Sequence, residues 1–192
     1  MTPIDVTVDL EFTPNPNTLK YVTNLTLLET GAANFREAAA AQGLSEIATK
    51  LFALDGIAGV MVGKNFVTVT LADQDKLTEL NEQIIDTIKG HLSTGAPALD
   101  AAAWKESQKT TSHSASAGDA ESLIIKILND EIRPAVAMDG GDITFEKYED
   151  GVVYLHMQGS CAGCPSSTAT LKMGIENRLK DAIPGLIEVV AV

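Results

Sequence analysis

Both cysteines of the chain lie in residues 159–167, which read Gly-Ser-Cys-Ala-Gly-Cys-Pro-Ser-Ser. Apolar and polar residues alternate over 152–157, which predicts a strand, and apolar residues recur at helical spacing from 171 to 183. Pro165 suits the first position of that helix, where its missing N–H would have no partner in any case. The pattern therefore places two thiols, Cys161 and Cys164, at a strand-to-helix junction lined by small residues.

Thiolates bind metals and attack disulfides, so the pair admits several chemistries. A thioredoxin-like redox pair often has a proline between its cysteines and lies in a βαβ pattern. Here Ala162 and Gly163 lie between them, and the βαβ pattern is missing. Inert thiols are also disfavoured, because we expect two thiols in a glycine-rich loop to be exposed and oxidisable.

Metal binding fits the pair better, but only in combination with a second chain. Iron–sulfur clusters and structural metal sites usually take four protein ligands, whereas this chain offers two thiolates. The three histidines, His91, His113 and His156, are spread along the sequence. A two-fold pairing of the cysteine loop with its copy would supply four thiolates, and small residues in the loop would allow that approach. A thiol–disulfide oxidoreductase and a dimeric zinc protein with the same ligands remain alternatives.

Charge and composition exclude other classes of function. The net charge of −12 and the pI near 4.5 argue against a nucleic acid partner, because phosphate binding needs a basic face. No apolar run is long enough to span a membrane, so no membrane association is expected. The first five residues resemble neither a signal peptide nor a transit peptide, which favours a cytoplasmic location, with a compartment whose targeting segment is absent from this sequence as the alternative.

The pattern of elements predicts an α+β protein with two small α/β-layered domains joined by a flexible linker. The first domain is expected over 1–93, with the order ββααββα. Its predicted strands are 4–12, 19–28, 60–62 and 66–71, and its predicted helices are 34–42, 46–54 and 73–91. Ser45 and Asp73 are the expected N-caps of the last two helices.

Residues 94–118 are rich in alanine, serine, threonine and glycine, which predicts the linker. Trp104 within it is expected to pack a short helical turn onto a neighbouring domain. The second domain is expected over 119–192, with the order αββαβ. Its predicted elements are a helix over 123–132 that Pro134 kinks or ends, strands 143–148 and 152–158 joined at Asp150-Gly151, a helix over 165–183 and a strand over 186–192.

Other polar motifs have structural interpretations. Asp139 and Asp142 flank two glycines and suggest a Mg²⁺ or catalytic-carboxylate site, but a tight turn capped by the aspartates is the favoured interpretation. Asn15 lies between two prolines, and Asn17 follows the second proline. This pattern predicts a rigid turn, with a surface recognition loop as the alternative. The sequence contains no nucleophile–base pair and no phosphate loop, so we do not expect an enzyme.

Several motifs in order resemble the Nfu/NifU-like C-terminal domain. They are Arg133-Pro134, Asp139-Gly140-Gly141-Asp142, Asp150-Gly151-Val152-Val153, the cysteine stretch 159–167 and Ile183-Pro184-Gly185. The first domain is similar to the Nfu N-terminal domain over 12–20 and 63–69.

Proteins of that family are iron–sulfur cluster carriers or scaffolds that bind a [4Fe–4S] cluster between two protomers. The resemblance implies that Cys161 and Cys164 are the cluster and metal ligands and that the cluster-loaded protein is a homodimer. It implies an upstream iron–sulfur scaffold as donor and apo-proteins as clients. For the first domain it implies target recognition or support of the dimer.

Overall fold

The computed structural model describes residues 4–104, 119–162 and 165–192. The chain divides into two compact units, Met1–Ser112 and His113–Val192. In each unit, helices pack on one sheet, and this confirms the predicted α+β class. None of the helices in the described ranges combines the length and the hydrophobicity needed to cross a bilayer.

The first unit is built on an antiparallel sheet of five strands in the order β1-β2-β5-β4-β3. The strands are β1 Val8–Phe12, β2 Thr18–Thr23, β3 Ala33–Phe35, β4 Ile57–Val62 and β5 Phe66–Leu71. The helices are α1 Ala38–Ala41, α2 Glu46–Phe52 and α3 Leu77–Leu92, the last preceded by a 3₁₀ turn, Gln74–Lys76. The core lies between the sheet and the helices, where strand and helix side chains are fully buried.

Both predicted helix caps are present. The hydroxyl of Ser45 accepts a hydrogen bond from the backbone N–H of Ala48 at 3.2 Å, at the start of α2. The carboxylate of Asp73 accepts one from the backbone N–H of Asp75 at 2.9 Å, at the start of the 3₁₀ turn. Each cap satisfies a donor that a helix end leaves without a backbone partner.

The predicted helix over 34–42 is wrong in its first part. Residues Ala33–Phe35 form strand β3, which pairs with β4 through Ala33↔Val62 and Phe35↔Val60. Phe35 is 1% exposed because the strand directs its ring into the core. Burial of that aromatic side chain outweighs the local helix propensity of the alanine-rich segment, and the helix is confined to Ala38–Ala41.

The start of the predicted linker packs on the first unit. Leu99 is 5% exposed and belongs to the core of this unit. The carbonyl of Ala98 accepts a hydrogen bond from the Ser45 hydroxyl at 2.7 Å, and residues 101–104 are helical. Trp104 stacks edge-on against Phe35 at 5.9 Å between ring centroids, as predicted for this tryptophan. The rest of the predicted linker, 105–118, lies outside the described residues.

The second unit combines a three-stranded sheet with helices. The strands are β6 Gly141–Glu149, β7 Val152–Gly159 and β8 Glu188–Ala191, with β6 and β7 antiparallel and β7 and β8 parallel. The prediction that a βαβ pattern is missing around the cysteines is therefore wrong, because β7, the helix over 165–182 and β8 form such a unit. The helices are α4 Asp119–Ile127, α5 Arg133–Met138 and α6 Pro165–Ala182. The fully or nearly buried core residues include Ile124, Ile143, Leu155, Leu179 and Val189.

A π-helical turn, Leu128–Ile132, joins α4 to α5. Pro134 lies in the first turn of α5, and its ring excludes the normal hydrogen bond to the carbonyl four residues earlier. The predicted interruption by proline is therefore present, but it takes the form of a wider turn and not of a break. The guanidinium of Arg178 in α6 donates two 2.7 Å hydrogen bonds to Glu131 in this turn.

The hairpin between β6 and β7 closes at Asp150-Gly151, as predicted. Both residues have positive φ, 50° and 80°, as a two-residue type I′ turn requires. The turn pairs Glu149 with Val152, and a β-bulge between Phe145 and Lys147 then shifts the register by one residue. Beyond the bulge, Ile143 pairs with Met157 and Gly141 with Gly159. The far end of the hairpin is therefore the point at which the cysteine stretch begins.

We predict that Leu99→Ala lowers the stability of the first unit by about 2–4 kcal/mol, because it leaves a cavity in a packed core. Trp104 is the only tryptophan and belongs to this unit, so its fluorescence during urea unfolding reports on the first unit alone. Leu123→Ala is the control, since Leu123 is 39% exposed and lies in the second unit, and it should leave this transition unchanged. An unchanged midpoint for Leu99→Ala would show that residues 98–104 do not contribute to the core.

Candidate functional site

Cys161 lies in a tight turn directly after β7. The strand ends at Gly159, whose φ of 61° turns the chain. The backbone N–H of Cys161 donates to the Gln158 carbonyl at 3.3 Å, and that of Ala162 donates to the Gly159 carbonyl at 3.1 Å. Helix α6 begins at Pro165, so the described residues confirm the predicted strand-to-helix junction. Gly163 and Cys164 lie outside the described residues.

Ser160 joins the cysteine turn to the turn that follows α5. Its backbone N–H donates to the Gly140 carbonyl at 3.2 Å, and its hydroxyl donates to the Asp139 carbonyl at 2.5 Å. The side chain is almost completely buried, at 3% exposure. Two hydrogen bonds in a buried setting therefore fix the position of the residue next to Cys161.

Gly141 provides the space that the Cys161 side chain occupies. It is the first residue of β6 and pairs with Gly159 across the hairpin. A Cβ added at Gly141 would overlap the sulfur of Cys161 and would lie 3.1 Å from the Ser160 hydroxyl. The expected exposure of the thiols is wrong for Cys161, which is 6% exposed, because its side chain turns inward onto Gly141.

A buried ion pair supports the same corner. The guanidinium of Arg133 donates to both carboxylate oxygens of Asp142, through Nε and Nη2, each at 2.7 Å. A third bond runs from Nη1 of Arg133 to the Asn129 side chain at 2.9 Å. The Asp142 side chain is 5% exposed and that of Arg133 27% exposed. The hydrogen bonds to Asp142 raise the pKa of Arg133 above its usual range, so the guanidinium stays charged.

The predicted loop over residues 139–142 is wrong in its second half. They were expected to form a capped loop, but Gly141 and Asp142 belong to strand β6. Pairing with β7 and the bond to Arg133 outweigh the turn preference of the Asp-Gly-Gly-Asp sequence. Asp142 therefore anchors α5 to the sheet and does not cap a turn, while Gly140 has the positive φ, 76°, that a turn requires.

Burial raises the pKa of the Cys161 thiol to about 11. The hydrogen bond with Ser160 acts in the opposite direction, and the charges of Asp139 and Asp142 add to the rise. The thiol is therefore protonated at neutral pH, and a metal that binds the sulfur must displace the proton. Because the folded-state pKa is the higher one, this group favours the folded state below about pH 9, and the contribution is lost as the pH rises towards 11.

A thiolate is a soft ligand that suits iron–sulfur clusters and zinc, and Cys161 is the donor of this kind in the described part of the chain. Within the described ranges, no group of three or more Cys, His, Asp and Glu residues is arranged to hold a metal ion. His156 pairs with Glu146 at 2.8 Å and with the Val192 carbonyl at 3.2 Å, as expected of a satisfied surface residue. His91 is buried in the first unit, and His113 lies outside the described residues.

The structure adds three residues to the site that the sequence pattern did not assign to it: Gly141, Ser160 and Arg133. Their roles depend on the approach of two segments about twenty residues apart, 139–142 and 159–162. The repeated glycines at 140 and 141 were the one available signal, because close backbone approach is a usual reason for glycine. Nothing in the local sequence links Arg133 to Asp142.

The fold and the site define a protein of two α+β units that carries its thiol turn on the second unit. Two family models match these units: "Scaffold protein Nfu/NifU N terminal" over residues 8–95 and "NifU-like domain" over residues 124–190. The chain belongs to the Nfu/NifU family, as the resemblance of its motifs predicted.

Curated relatives match along most of the chain. The human "NFU1 iron-sulfur cluster scaffold homolog, mitochondrial" is 36% identical over 92% of this chain and 68% of its own length. "NifU-like protein 4, mitochondrial" from Arabidopsis thaliana is 38% identical over 90% of this chain and 61% of its own length. The chain thus spans about two thirds of the length of these relatives. A solution structure of a NifU-like protein from Saccharomyces cerevisiae covers 53% of this chain and 88% of its own, with a TM-score of 0.45 and 20% identity.

The predicted cytoplasmic location is contradicted by these comparisons. The human and Arabidopsis relatives are named as mitochondrial proteins, and so are relatives from Drosophila. The prediction was based on the composition of the first five residues. A targeting segment is a removable address and not part of the fold, so the folded residues carry no record of it.

We predict that Arg133→Gln destabilises the second unit by about 2–3 kcal/mol, because it leaves the Asp142 carboxylate buried without its charged partner. The measurement is amide hydrogen exchange over β6 and β7, which should become faster. Arg178→Gln is the matched control, since it breaks an exposed pair with Glu131 whose side chains are 40% and 46% exposed. Exposed pairs contribute little, so the control should change exchange much less. Equal effects of the two variants would contradict the role given to Asp142.

We also predict that Gly141→Ala exposes the Cys161 thiol. The added Cβ must displace the sulfur, and overpacking of this kind costs about 1–3 kcal/mol, which corresponds to about a fivefold to hundredfold faster reaction of the thiol. The measurement is the alkylation rate of Cys161 at pH 8 in a Cys164→Ser background. Gly174→Ala is the control, because a Cβ there meets no atom within 4 Å. An unchanged rate for Gly141→Ala would mean that Gly141 does not determine the position of the thiol.

Proposed function

We propose that this protein is an iron–sulfur cluster carrier without a catalytic step of its own. Two copies hold one [4Fe–4S] cluster through Cys161 and Cys164 of each chain, receive it from an upstream scaffold and pass it to apo-proteins. Membership of the family supports the cluster scaffold role, because relatives over most of the chain bear that name.

One observation carries the proposal for this chain: the turn that bears Cys161 is built to hold a thiol. Gly141 leaves room for the sulfur, and Ser160 fixes the neighbouring backbone through two hydrogen bonds. A buried ion pair supports the same corner from the other side. A small apolar residue could fill the same space, but it would offer no ligand atom, whereas Cys161 offers a sulfur at a fixed position.

Ligand number favours a site shared by two chains. A cluster is usually held by four protein ligands, and this sequence has two cysteines. A two-fold pairing of the cysteine stretch supplies four thiolates from two copies. A site divided in this way is also easier to give up than one enclosed by a single chain, which suits transfer.

Two observations argue against a thiol–disulfide oxidoreductase. Such a pair often has a proline between its cysteines, whereas Ala162 and Gly163 lie between Cys161 and Cys164. The attacking thiol of such an enzyme is exposed, whereas Cys161 is 6% exposed.

The experiment is anaerobic reconstitution of the full chain with iron and sulfide. We expect a coloured holo-protein with one cluster per two chains, and light scattering should show a monomeric or weakly paired apo-protein and a dimeric holo-protein. Cys161→Ser and Cys164→Ser should each abolish uptake, because each removes two of the four ligands of a paired site. The loaded protein should then activate an apo-enzyme that requires a [4Fe–4S] cluster.

His156→Ala is the control, and it should bind the cluster like the unchanged chain because His156 is an exposed, paired residue on β7. Mössbauer spectra of the holo-protein distinguish [4Fe–4S] from [2Fe–2S]. A colourless protein that retains zinc would contradict the proposal in favour of the zinc alternative. Reduction of a disulfide substrate by the metal-free chain would favour the oxidoreductase instead.

A further inference from the structure

Strand β1 forms one edge of the sheet in the first unit and pairs only with β2 among the described residues. Edge strands are usually protected by charged side chains, above all lysine, by proline, by a bulge or by being very short. The opposite edge, β3, has three residues. By contrast, β1 has five residues, Val-Asp-Leu-Glu-Phe, with no lysine, no proline and a regular register against β2. This edge is suited to accept a further strand.

Phe12, the last residue of β1, is an exposed aromatic side chain. Its exposure is 77%, the largest value among the exposed large apolar residues of the described chain. Single exposed apolar residues are common and need no explanation by themselves. This one lies at the end of an edge strand whose protection consists of two carboxylates, Asp9 and Glu11, which would repel an acidic strand but not a basic one.

The turn after Phe12 is rigid, as predicted from its asparagines and prolines. The hydroxyl of Thr13 has one hydrogen, and the carbonyls of Thr18, at 2.8 Å, and Asn15, at 3.0 Å, are both within bonding distance of it. The Asn15 side chain accepts from the backbone N–H of Asn17 at 3.1 Å, and Asn15 is 5% exposed. The backbone next to Phe12 is therefore already ordered, so a partner need not order it on binding.

The two faces of β1 differ in chemistry, and this difference specifies the partner. Asp9 and Glu11 are exposed on one face, and Leu10 and Phe12 lie on the other. Side chains directly opposite each other in an antiparallel pair lie on the same face. A strand added to β1 would therefore place basic residues opposite the two carboxylates and apolar residues opposite Leu10 and Phe12.

We propose that the β1 edge, residues Val8–Phe12, binds an extended segment of a partner protein in which Lys or Arg alternates with apolar residues. Main-chain hydrogen bonds to the edge provide affinity, and the alternating side chains provide specificity. The acidic character of the edge agrees with the net charge of −12, which favours basic partners. Glu11 already pairs with Lys20 at 2.8 Å. Asp9 is therefore the carboxylate that contributes more to the preference for a basic partner.

The inference deepens the proposed function, since it gives the first unit the surface with which it recognises clients, and its biological meaning rests on that proposal. The edge itself has no cysteine and needs no cluster. Peptide binding to the cluster-free chain therefore tests the edge separately from the cluster. If the peptide does not bind but the cluster is taken up, only the edge proposal fails. If the peptide binds but no cluster is taken up, only the proposed function fails.

The test uses the full chain and a labelled peptide of alternating Lys and Val, seven residues long, with blocked ends. The control peptide has the same composition with the lysines grouped at one end. Fluorescence anisotropy at low salt should show weaker binding of the grouped peptide. Hydrogen exchange should show new protection of the amides of β1 and β2 when the alternating peptide is bound.

Two variants locate the site. Phe12→Ala should weaken binding by about fivefold or more, as truncation of an aromatic anchor does. Asp9→Lys should weaken it by at least as much, because it places like charges opposite each other. Glu82→Lys is the matched control: it makes the same change of charge at an exposed position of helix α3, and it should have a much smaller effect.

Equal binding of the two peptides would overturn the proposal, because it would show attraction by charge alone. Equal effects of Asp9→Lys and Glu82→Lys would overturn it for the same reason. Protection elsewhere than at β1 would place the site on another surface. A cluster-free dimer in light scattering that Phe12→Ala dissociates would assign the edge to a second copy of this chain and not to a different protein.

Discussion

The close approach of the Gly141 backbone to the sulfur of Cys161 determines the form of the second unit. It requires a hairpin whose register ends on a pair of glycines, Gly141 and Gly159. The Asp150-Gly151 turn and the β-bulge between Phe145 and Lys147 set this register together, because the bulge shifts the pairing by one residue. Without the bulge, Asp142 would face Gly159 in place of Gly141, so the position of the thiol depends on an irregularity several residues away along β6.

Two arginine–carboxylate pairs in this unit have the same geometry but differ in how much the stability of the unit depends on them. Both are bidentate with bonds of 2.7 Å, yet the Asp142 carboxylate is 5% exposed and that of Glu131 46% exposed. Water competes with the exposed pair and screens it, whereas the buried carboxylate depends on Arg133 for its stability. The buried pair lies next to the cysteine turn, so the polar contacts with most influence on stability are those that support the site.

The sequence was sufficient to predict features that depend only on residues close together in the chain. The caps at Ser45 and Asp73, the Asp150-Gly151 turn and the junction after β7 all follow from local chemistry. Features that depend on contacts between distant segments were not predictable in this way. Strand β3 exists because Phe35 is buried against β4, although its alanine-rich surroundings favour a helix.

The candidate site was likewise predictable in part: its residues could be identified from the sequence, but the orientation of its thiol could not. The cysteines and their spacing identified the stretch, and the family resemblance supplied the expected ligands. The inward orientation of Cys161 was not predicted, because small flanking residues are compatible with an exposed thiol and with a buried one. Only the pairing of Gly141 with Gly159 distinguishes them, and it joins residues eighteen positions apart in the sequence.

The π-helical turn, Leu128–Ile132, has a consequence for how this domain tolerates insertions and deletions. Each residue of an α-helix advances the chain by about 100° around the axis, so the wider turn sets the angular phase between α4 and α5. Loss of one residue there would restore a regular helix but rotate the apolar side of α4 away from the core if Arg133 kept its bond to Asp142. The segment is therefore fixed in length, while Asp130, an exposed residue in the middle of the turn, is open to replacement.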